Sequence, residues 1–402
     1  MKQDNDIVII GCARTPIGRF GGSLAKMRAY KLAATAMTAA LERAGVEGAI
    51  LSDVIMGDCI QSPEEANTAR TAALEVGIPV EVPAVTIQRQ CSSAMQAVIF
   101  ASQQIMCGDS EVVLAGGCES MSNAPYVLPA ARWGARLQHG VMMDSLWELL
   151  HSGTNILEGP GKGYIMGQTA ENLAQKYAIS REEQDIIALR SHNNAEAATK
   201  EGRFKDEIVA VEVPGKKGRV EVVDTDEHIR FGLTMDGLSK LKPAFSKDGT
   251  VTAGNSSGLN DGGAAMVVTS RAKAKELGAT PLARIVGHGI AGVDPRYMGY
   301  GPVPSTEKAL QRTGLSLDDL KLIEVNEAFA AQYLAVEKGL GLNREITNVN
   351  GSGVGLGHPV GATGCRIMIS LLYEMKRRGV DLGLATLCVG GGMGASIILE
   401  NE

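Results

Sequence analysis

Short apolar runs alternate with segments of helical periodicity along most of the chain. Four of these runs read as strands: DVIMG (53–57), AVTI (84–87), EVVLAGG (111–117) and LGLATLCV (382–389). Between the second and third runs, apolar positions recur with the spacing of a buried helix that ends near Gly108. Strands that alternate with helices are typical of α/β proteins, so the pattern predicts that class of fold.

The same pattern occurs twice. ALERAGV (40–46) precedes the first predicted strand, and ALQRTGL (309–315) precedes a strand at LKLIEV (320–325) with the same spacing. In this second copy, a strand at EITNV (345–349) leads through a glycine-rich loop to a helix from about Gly361 to Arg378. The repeat predicts two similar halves.

Two halves with one βαβ pattern bring equivalent loops together, and ligands favour such seams in α/β proteins. Cys91, Asn326, His358 and Cys388 lie in loops or at strand ends of this kind. We therefore expect these side chains to converge at one site.

The pattern degrades into loops and short polar helices from about residue 119 to residue 250. One clear helix spans 180–202, where Ser180 is the N-cap and Glu183 completes a capping box. A basic stretch follows, which contains GKKGR (215–219), Arg230, Lys240, Lys242 and Lys247. It is either a solvated face or a clamp for a phosphorylated ligand.

Charge and composition narrow the class of partner. The chain has 402 residues, with 39 Lys and Arg against 45 Asp and Glu, so it has no global basic field for nucleic acid. The apolar run IVII near the N-terminus is too short for a signal-peptide core or a membrane span. We expect a cytoplasmic protein whose partners are small molecules or sister subunits, with no nucleic acid and no membrane.

No motif for a metal site or a nucleotide occurs in the sequence with its expected spacing and structural context. The seven cysteines include no CxxC pair, so we expect reduced thiols and no metal site. GHGIAG (287–292) fits GxGxxG, but no helix is predicted after it, which argues against a dinucleotide site. The chain has no GxxxxGK[ST] loop, which argues against a nucleoside triphosphatase.

Cys91 has two interpretations. A free cysteine is often a small apolar core residue. If Ser92 opens the helix, however, unpaired N–H groups and the helix dipole lower the pKa of the Cys91 thiol and make it a nucleophile. Among the six histidines, His358 is the best partner base, because the glycines of GLGHPVGAT let a ligand approach. Cys388 precedes VGGGMG, whose bare backbone can donate N–H groups to an oxyanion.

Seven motifs, in order, resemble those of the thiolases, the family of the acetyl-CoA acetyltransferases and 3-ketoacyl-CoA thiolases. They are RTPIGRFGGSL (14–24), QCSSAMQA (90–97), MGQTAEN (166–172), TAGNSSGLNDGGAA (252–265), NEAFA (326–330), GHPVGATG (357–364) and CVGGGMG (388–394). The resemblance covers nearly the whole chain. One motif alone would be a weak match, whereas seven in order are specific.

The resemblance implies an α/β fold of five layers, αβαβα, built from two similar halves. The halves are residues 1–272 and 273–402, with a loop domain inserted in the first at about 119–250. It also implies a homodimer or homotetramer in fatty acid metabolism. The implied reaction is the reversible CoA-dependent cleavage of a 3-ketoacyl-CoA to acetyl-CoA and a shortened acyl-CoA. Coenzyme A is then a co-substrate, and no cofactor is permanently bound.

The resemblance assigns roles to residues as well. Cys91 is the nucleophile that becomes acylated, and His358 is the base that activates it. Cys388 moves a proton at the α-carbon of the second acyl-CoA. Asn326 holds a water near the thioester oxygen and forms one oxyanion hole with His358, while the backbone N–H groups of Cys91 and Gly390 form the other. Arg230 lies near the adenine end, and the pantetheine and acyl path is lined by Met166, Phe245, Ala253, Ser257, Ala328 and Phe329.

Some positions depart from the family's pattern. Gln88, Ala94, Cys118 and Ile165 stand where Asn, Gly, Met and His are usual or frequent, and residues 151–165 form a longer connection. Ile165 and this connection should border the substrate channel. The sequence therefore leaves the acyl specificity open, and the direction of the reaction as well.

Two other functions remain possible. A decarboxylating ketosynthase would share the halves and the nucleophile, but it would need a second histidine at position 326 and a different group at position 388. A catalytically silent thiolase-like subunit would bind acyl-CoA or scaffold a partner. The presence of Cys91, His358 and Cys388 argues against that reading.

Overall fold

Two groups of strands with matching order organise the protein, whose computed structural model describes residues 2–151, 154–158 and 163–402. The strands are β1 (Ile7–Arg14), β2 (Gly18–Arg19), β3 (Asp53–Gly57), β4 (Ala84–Ile87), β5 (Val112–Ser120), β6 (Tyr126–Val127), β7 (Met143–Asp144), β8 (Val211–Pro214), β9 (Val220–Val223), β10 (Asn260–Ser270), β11 (Ala283–Gly292), β12 (Leu322–Val325), β13 (Leu382–Val389) and β14 (Met393–Asn401). The helices are α1 (Ala29–Ala44), α2 (Thr68–Val76), α3 (Ser93–Cys107), α4 (Ser145–His151), α5 (Asn155–Glu158), α6 (Met166–Lys176), α7 (Arg181–Lys200), α8 (Met235–Ser239), α9 (Arg271–Glu276), α10 (Pro302–Thr313), α11 (Ala330–Leu340), α12 (Gly353–Leu356) and α13 (Val360–Arg378).

The strand order is the same in both groups. The first group runs β1-β10-β5-β3-β4, and the second runs β11-β14-β13-β12. Thr347 forms a bridge with Ile323 of β12. It thus occupies the position in the second group that β4 occupies beside β3 in the first. The groups join where β1 pairs with β11, through Val8 with Arg284 and Ile9 with Ala283. The repeat predicted from the sequence is therefore present in the fold.

Three helical layers enclose the two groups of strands. Helices α3 and α13 lie between the groups, and Gly364 allows their close approach, because an added Cβ there would lie 2.5 Å from the backbone N of Met95. Helices α1 and α2 cover the outer face of the first group, and α10 and α11 cover that of the second. The five-layer αβαβα fold is thus confirmed. No helix in the described ranges has the length and apolar character needed to cross a membrane.

A bulge occurs at the same place in both halves. The pairing register shifts between Ile9 and Gly11 in β1, and between Ile285 and Gly287 in β11. Each glycine faces the covering helix: a Cβ at Gly11 would lie 2.5 Å from the carbonyl oxygen of Ala40. These glycines allow the outer helices to lie directly on the strands.

The segment inserted between β5 and β10 carries α4–α8 and two small hairpins. Arg14, at the end of β1, holds it to the core. Its buried guanidinium donates from Nε to Glu207 Oε1 at 2.7 Å and from Nη1 to Asp226 Oδ1 at 2.7 Å. The predicted capping box of α7 is confirmed, since Ser180 Oγ accepts from the backbone N of Glu183 at 3.1 Å.

The predicted strand at 345–349 is wrong. Residues Arg344–Ile346 form a 3₁₀ turn, and only Thr347 bridges the sheet. Asn348 has a φ of 50°, and its side chain accepts from the N–H of Val325 at 2.8 Å and donates to the carbonyl of Val325 at 2.9 Å. One amide side chain thus satisfies the edge of β12 that a strand would have paired.

Candidate active site

The turn before α3 holds Cys91. Gln90 adopts a left-handed backbone, with a φ of 45°, and Ser92 is the N-cap residue of the helix. Ser93 Oγ donates to the carbonyl of Gln90 at 2.7 Å and accepts from the N–H of Arg89 at 2.8 Å. The small polar residues around Cys91 therefore satisfy a strained backbone turn, and this turn places the thiol at the wall of a cavity.

Burial dominates the electrostatics of Cys91. It raises the pKa of the thiol to about 11, while hydrogen bonds from the N–H groups of Gly390 and of Cys91 itself lower it. The expectation of a low pKa at the helix N-terminus is thus wrong for the free protein. The cost of removing the thiolate from water exceeds the stabilisation that the helix N-terminus provides. The two N–H groups that reach the sulfur can also donate to an oxyanion on a carbon bonded to it.

Two side chains hold His358 in place. The backbone N–H of His358 donates to Asn260 Oδ1 at 2.8 Å. Thr363 Oγ1 donates to the carbonyl of Pro359 at 2.8 Å, so it accepts from His358 Nδ1, which lies 2.7 Å away. This network assigns the ring proton to Nδ1 and leaves the lone pair on Nε2. Burial, followed by the charge of Arg366, lowers the pKa of His358 to about 3, so the imidazole is neutral.

Asn326 lies beside the free nitrogen of His358. Its Nδ2 is 3.4 Å from His358 Nε2, and its Oδ1 accepts from Arg366 Nη2 at 3.5 Å. Because Arg366 can only donate, it fixes the orientation of the amide. The amide N–H2 group and the imidazole therefore face the same space.

Cys388 is completely buried at the end of β13. Burial, followed by the charge of Cys91, raises the pKa of Cys388 well above its ordinary value. The two thiols thus lie close enough to affect each other's ionisation. Cys91 comes from the first half, whereas Cys388, His358 and Asn326 come from the second, so the site forms only at the seam.

A narrow, mostly apolar cavity of about 100 Å³ leads to Cys91 and His358. Its other lining residues are Met121, Leu150, Ile165, Met166, Gly167, Phe245, Ser256, Ser257, Gly258, Leu259, Ala328, Phe329 and Val360. Five of the residues predicted for the substrate path are therefore in its wall. Ala253 and Arg230 are exposed and are not among these residues. Of the connection 151–165, residues 152–153 and 159–162 lie outside the described ranges.

Several residues that position this site are not among those predicted from the sequence. Asn260 and Thr363 fall within motifs that were recognised, but their contacts with His358 depend on the fold. Arg366 lies on the buried helix α13, where a lone arginine in an apolar run was the available signal. Among the described residues, no group of three His, Cys, Asp or Glu side chains could hold a metal ion.

Comparison with known proteins gives a consistent result. The family model for the thiolase N-terminal domain matches residues 7–272, and the model for the thiolase C-terminal domain matches residues 279–401. The acetyl-CoA acetyltransferase of Cupriavidus necator is 51% identical over 402 residues, which cover 99% of this chain and 100% of that protein.

Solved structures are similar over the same length. The crystal structure of the Bacillus anthracis acetyl-CoA acetyltransferase has a TM-score of 0.95 and 53% identity, with 100% of both chains covered. The human mitochondrial 3-ketoacyl-CoA thiolase in complex with CoA has a TM-score of 0.94 and 44% identity, with 100% of this chain and 99% of that chain covered.

Proposed function

The chain belongs to the thiolase family, and from this premise we propose how its residues carry out the reaction. The enzyme is an acyltransferase that cleaves a 3-ketoacyl-CoA with coenzyme A to acetyl-CoA and a shortened acyl-CoA, or runs the reverse condensation. The observation that carries the assignment of residues is that Cys91 and His358 share the wall of one cavity, with Asn326 beside His358 Nε2 and the N–H of Gly390 at the sulfur.

In the first step, His358 Nε2 takes the proton of Cys91, and the thiolate attacks the 3-keto carbon of the substrate. The N–H groups of Cys91 and Gly390 stabilise the oxyanion that forms there. The bond between the α-carbon and the keto carbon then breaks. Its electron pair goes to the α-carbon, which takes a proton from Cys388, and acetyl-CoA leaves.

In the second step, coenzyme A attacks the acyl group on Cys91. The proton of the CoA thiol goes to the Cys388 thiolate, and the tetrahedral oxygen again uses the two N–H groups. The bond between the acyl carbon and Cys91 Sγ then breaks, Cys91 takes back its proton from His358, and the shortened acyl-CoA leaves. Asn326 and His358 face the thioester oxygen of the leaving acetyl-CoA, where a bound water and the imidazolium donate to enolate charge.

We propose that coenzyme A is a co-substrate and that no cofactor stays bound. Met166, Phe245, Ser257, Ala328 and Phe329 line its path, and their place in the cavity wall supports this. Arg230 and Ala253 remain predicted contacts at the outer end. Lys240, Lys242 and Lys247, which lie between them in the sequence, are exposed and suit the phosphates of coenzyme A.

The assembly, division and location of the chain are proposals as well. We propose a homodimer or homotetramer, supported by the edge position of β4 and the exposed side chains of Val85 and Phe100. We place the division between the halves at 272–273, near the ends of the two family matches. The cysteines are all free, which supports a place in the cytoplasm.

The test is CoA-dependent loss of acetoacetyl-CoA absorbance, combined with mass spectrometry of the Cys91 peptide after incubation with acetyl-CoA. We expect turnover and an acetyl group on Cys91. Rates with longer, branched and aromatic 3-ketoacyl-CoA esters then define the acyl group. Binding of acyl-CoA without turnover would identify a silent subunit, and acetylation elsewhere would overturn the role of Cys91.

A further inference from the structure

One buried carboxyl group contacts both catalytic loops. Glu119 is the second-last residue of β5 and is completely buried. Its Oε2 accepts from the N–H of Gly361 at 2.8 Å and from the N–H of Cys59 at 3.2 Å. Its Oε1 accepts from the N–H of Ile60 at 3.2 Å. Gly361 lies three residues after His358, in the first turn of α13.

Cys59 connects Glu119 to the nucleophile. The thiol of Cys59 donates to the carbonyl of Gln90 at 3.2 Å and lies 3.5 Å from Ser93 Oγ. Gln90 is the strained residue that directly precedes Cys91. A continuous chain of hydrogen bonds therefore runs from the loop of His358 through Glu119 and Cys59 to the turn of Cys91.

A second buried acid supports this arrangement. Asp58 is also completely buried, and its Oδ2 accepts from Thr68 Oγ1 at 2.5 Å. Burial, followed by the charge of Asp58, raises the pKa of Glu119 well above its ordinary value. Burial also raises the pKa of Asp58 to about 6, while hydrogen bonds with Thr68 and then Glu119 lower it, so the two carboxyl groups are neighbours and disfavour a double negative charge. The pair thus avoids two buried negative charges while Glu119 keeps two oxygens for its three N–H donors.

We propose that Glu119 is a positioning residue that sets the distance between Cys91 and His358 across the seam of the two halves. This proposal rests on the proposed function. A glutamine at this position has one acceptor oxygen, and its NH2 group would face N–H donors of one loop. The two loops then lose their common anchor, although neither catalytic side chain has changed.

The experiment compares Glu119→Gln with Glu374→Gln, which alters another buried acid, in the C-terminal part of α13, the helix whose first turn contains Gly361. We expect Glu119→Gln to lower kcat for thiolysis by about 10²-fold while KM stays within about twofold, because a small misplacement is costly and the substrate path is intact. Hydrogen exchange should rise in residues 58–61, 88–93 and 357–363. Glu374→Gln should raise exchange only near 370–378 and keep kcat within about threefold.

A second pair of variants tests the link through Cys59 even if Glu119→Gln does not fold. Cys59→Ala should lower kcat and should raise hydrogen exchange at 88–93 but not at 357–363. Cys59→Ser should restore wild-type kcat and wild-type exchange, because a hydroxyl also donates to the carbonyl of Gln90. The proposal is overturned if a folded Glu119→Gln keeps kcat within about threefold or loosens the whole protein equally, or if Cys59→Ala behaves like wild type. If the wild type itself lacks thiolase turnover, the proposed function fails, while the exchange pattern still reports on the anchor.

Discussion

Cys91 and His358 both lose water on folding, and this determines their resting charge. The thiol has a pKa of about 11 and the imidazole one of about 3, so both groups are neutral near pH 7. A thiolate–imidazolium pair would require the opposite shifts. In the proposed mechanism, proton transfer from Cys91 to His358 Nε2 therefore belongs to the reaction itself, when the two N–H groups gain an oxyanion to bind.

This resting state predicts a pH dependence. Iodoacetamide reacts with the thiolate, and a raised pKa means that the thiolate fraction grows about tenfold per pH unit below it. We expect alkylation of Cys91 in the free enzyme to climb steadily between about pH 6.5 and pH 9.5. Mass spectrometry of the Cys91 peptide measures this rate, and a plateau across neutral pH would indicate a preformed ion pair.

Cys388 should separate the two half-reactions. Transfer of an acetyl group from acetyl-CoA to Cys91 needs no proton at the α-carbon, whereas thiolysis and condensation do. We expect Cys388→Ala to retain acetyl exchange with labelled CoA and to lose about 10²-fold in thiolysis. Cys118→Ala, another completely buried cysteine, is the control. Loss of both rates together in Cys388→Ala would show that Cys388 is structural or activates Cys91.

Ile165 should influence the acyl group. It lines the cavity, as Leu150 does, so its side chain offers apolar contact to a substrate. We expect Ile165→His to lower the ratio of kcat/KM for branched against short substrates by about tenfold, the scale of one or two methylene contacts, while Cys91 is still acetylated. Ile165→Val keeps an apolar side chain and serves as the control. An unchanged ratio in Ile165→His would exclude this role.

For single residues, sequence motifs identified the positions of the candidate site residues but not the environment of their side chains. The internal repeat identified Cys91, His358, Asn326 and Cys388 as candidates, the resemblance assigned their roles, and the fold brings them together. Asn260, Thr363 and Glu119 were not predicted, because their hydrogen bonds depend on the folded backbone, and the partners of Asn260 and Glu119 are also distant in the chain. The pKa direction predicted for Cys91 from the sequence was also wrong, because the cost of burial depends on packing that local sequence does not contain.

Among the elements, the matching bulges of β1 and β11 show how similar glycine positions can differ in their tolerance of an added methyl group. A Cβ at Gly11 meets the backbone of α1, whereas a Cβ at Gly287 meets only the methyl group of Thr313, at 2.4 Å. A backbone cannot move aside without shifting the helix, but a side chain can adjust.

We therefore expect Gly11→Ala to lower the free energy of unfolding by about 1–3 kcal/mol and Gly287→Ala to lower it by less. Urea unfolding followed by circular dichroism compares the two variants. Equal losses would show that α10 is held as rigidly as α1.

Elements were predictable where local signals were strong. The strands at 53–57, 84–87 and 382–389 have the predicted bounds, and the capping box of α7 is present. The prediction of a strand at 345–349 is wrong because the side chain of Asn348 replaces strand pairing at the edge of β12. An apolar pattern does not reveal such a substitution of side chain for backbone.

For the molecule as a whole, the edge of the first group of strands suggests how copies associate. Thr86 faces α2, since it accepts from the N–H of Ala69, so the alternate residue Val85 points to the side of α3, where Phe100 is exposed. An uncovered edge with apolar neighbours favours pairing with another chain.

We expect wild-type protein to have the mass of two or four chains in light scattering after size-exclusion chromatography. Val85→Lys should reduce that mass, because a charge on the edge strand opposes pairing. Val220→Lys, at an exposed position on the hairpin of β8 and β9, should leave it unchanged. A monomeric wild type, or no change in Val85→Lys, would contradict this assembly.

The division of the catalytic groups between the two halves has a practical consequence. The first half carries Cys91, the proposed nucleophile, and the second carries His358, its proposed base. The halves meet through the short pairing of β1 with β11 and the packing of α3 on α13. A gene cut between α9 and β11 would yield two polypeptides that are each inert. Turnover would return only when they reunite, so fusing them to two other proteins would turn thiolysis into a complementation reporter of whether those proteins meet.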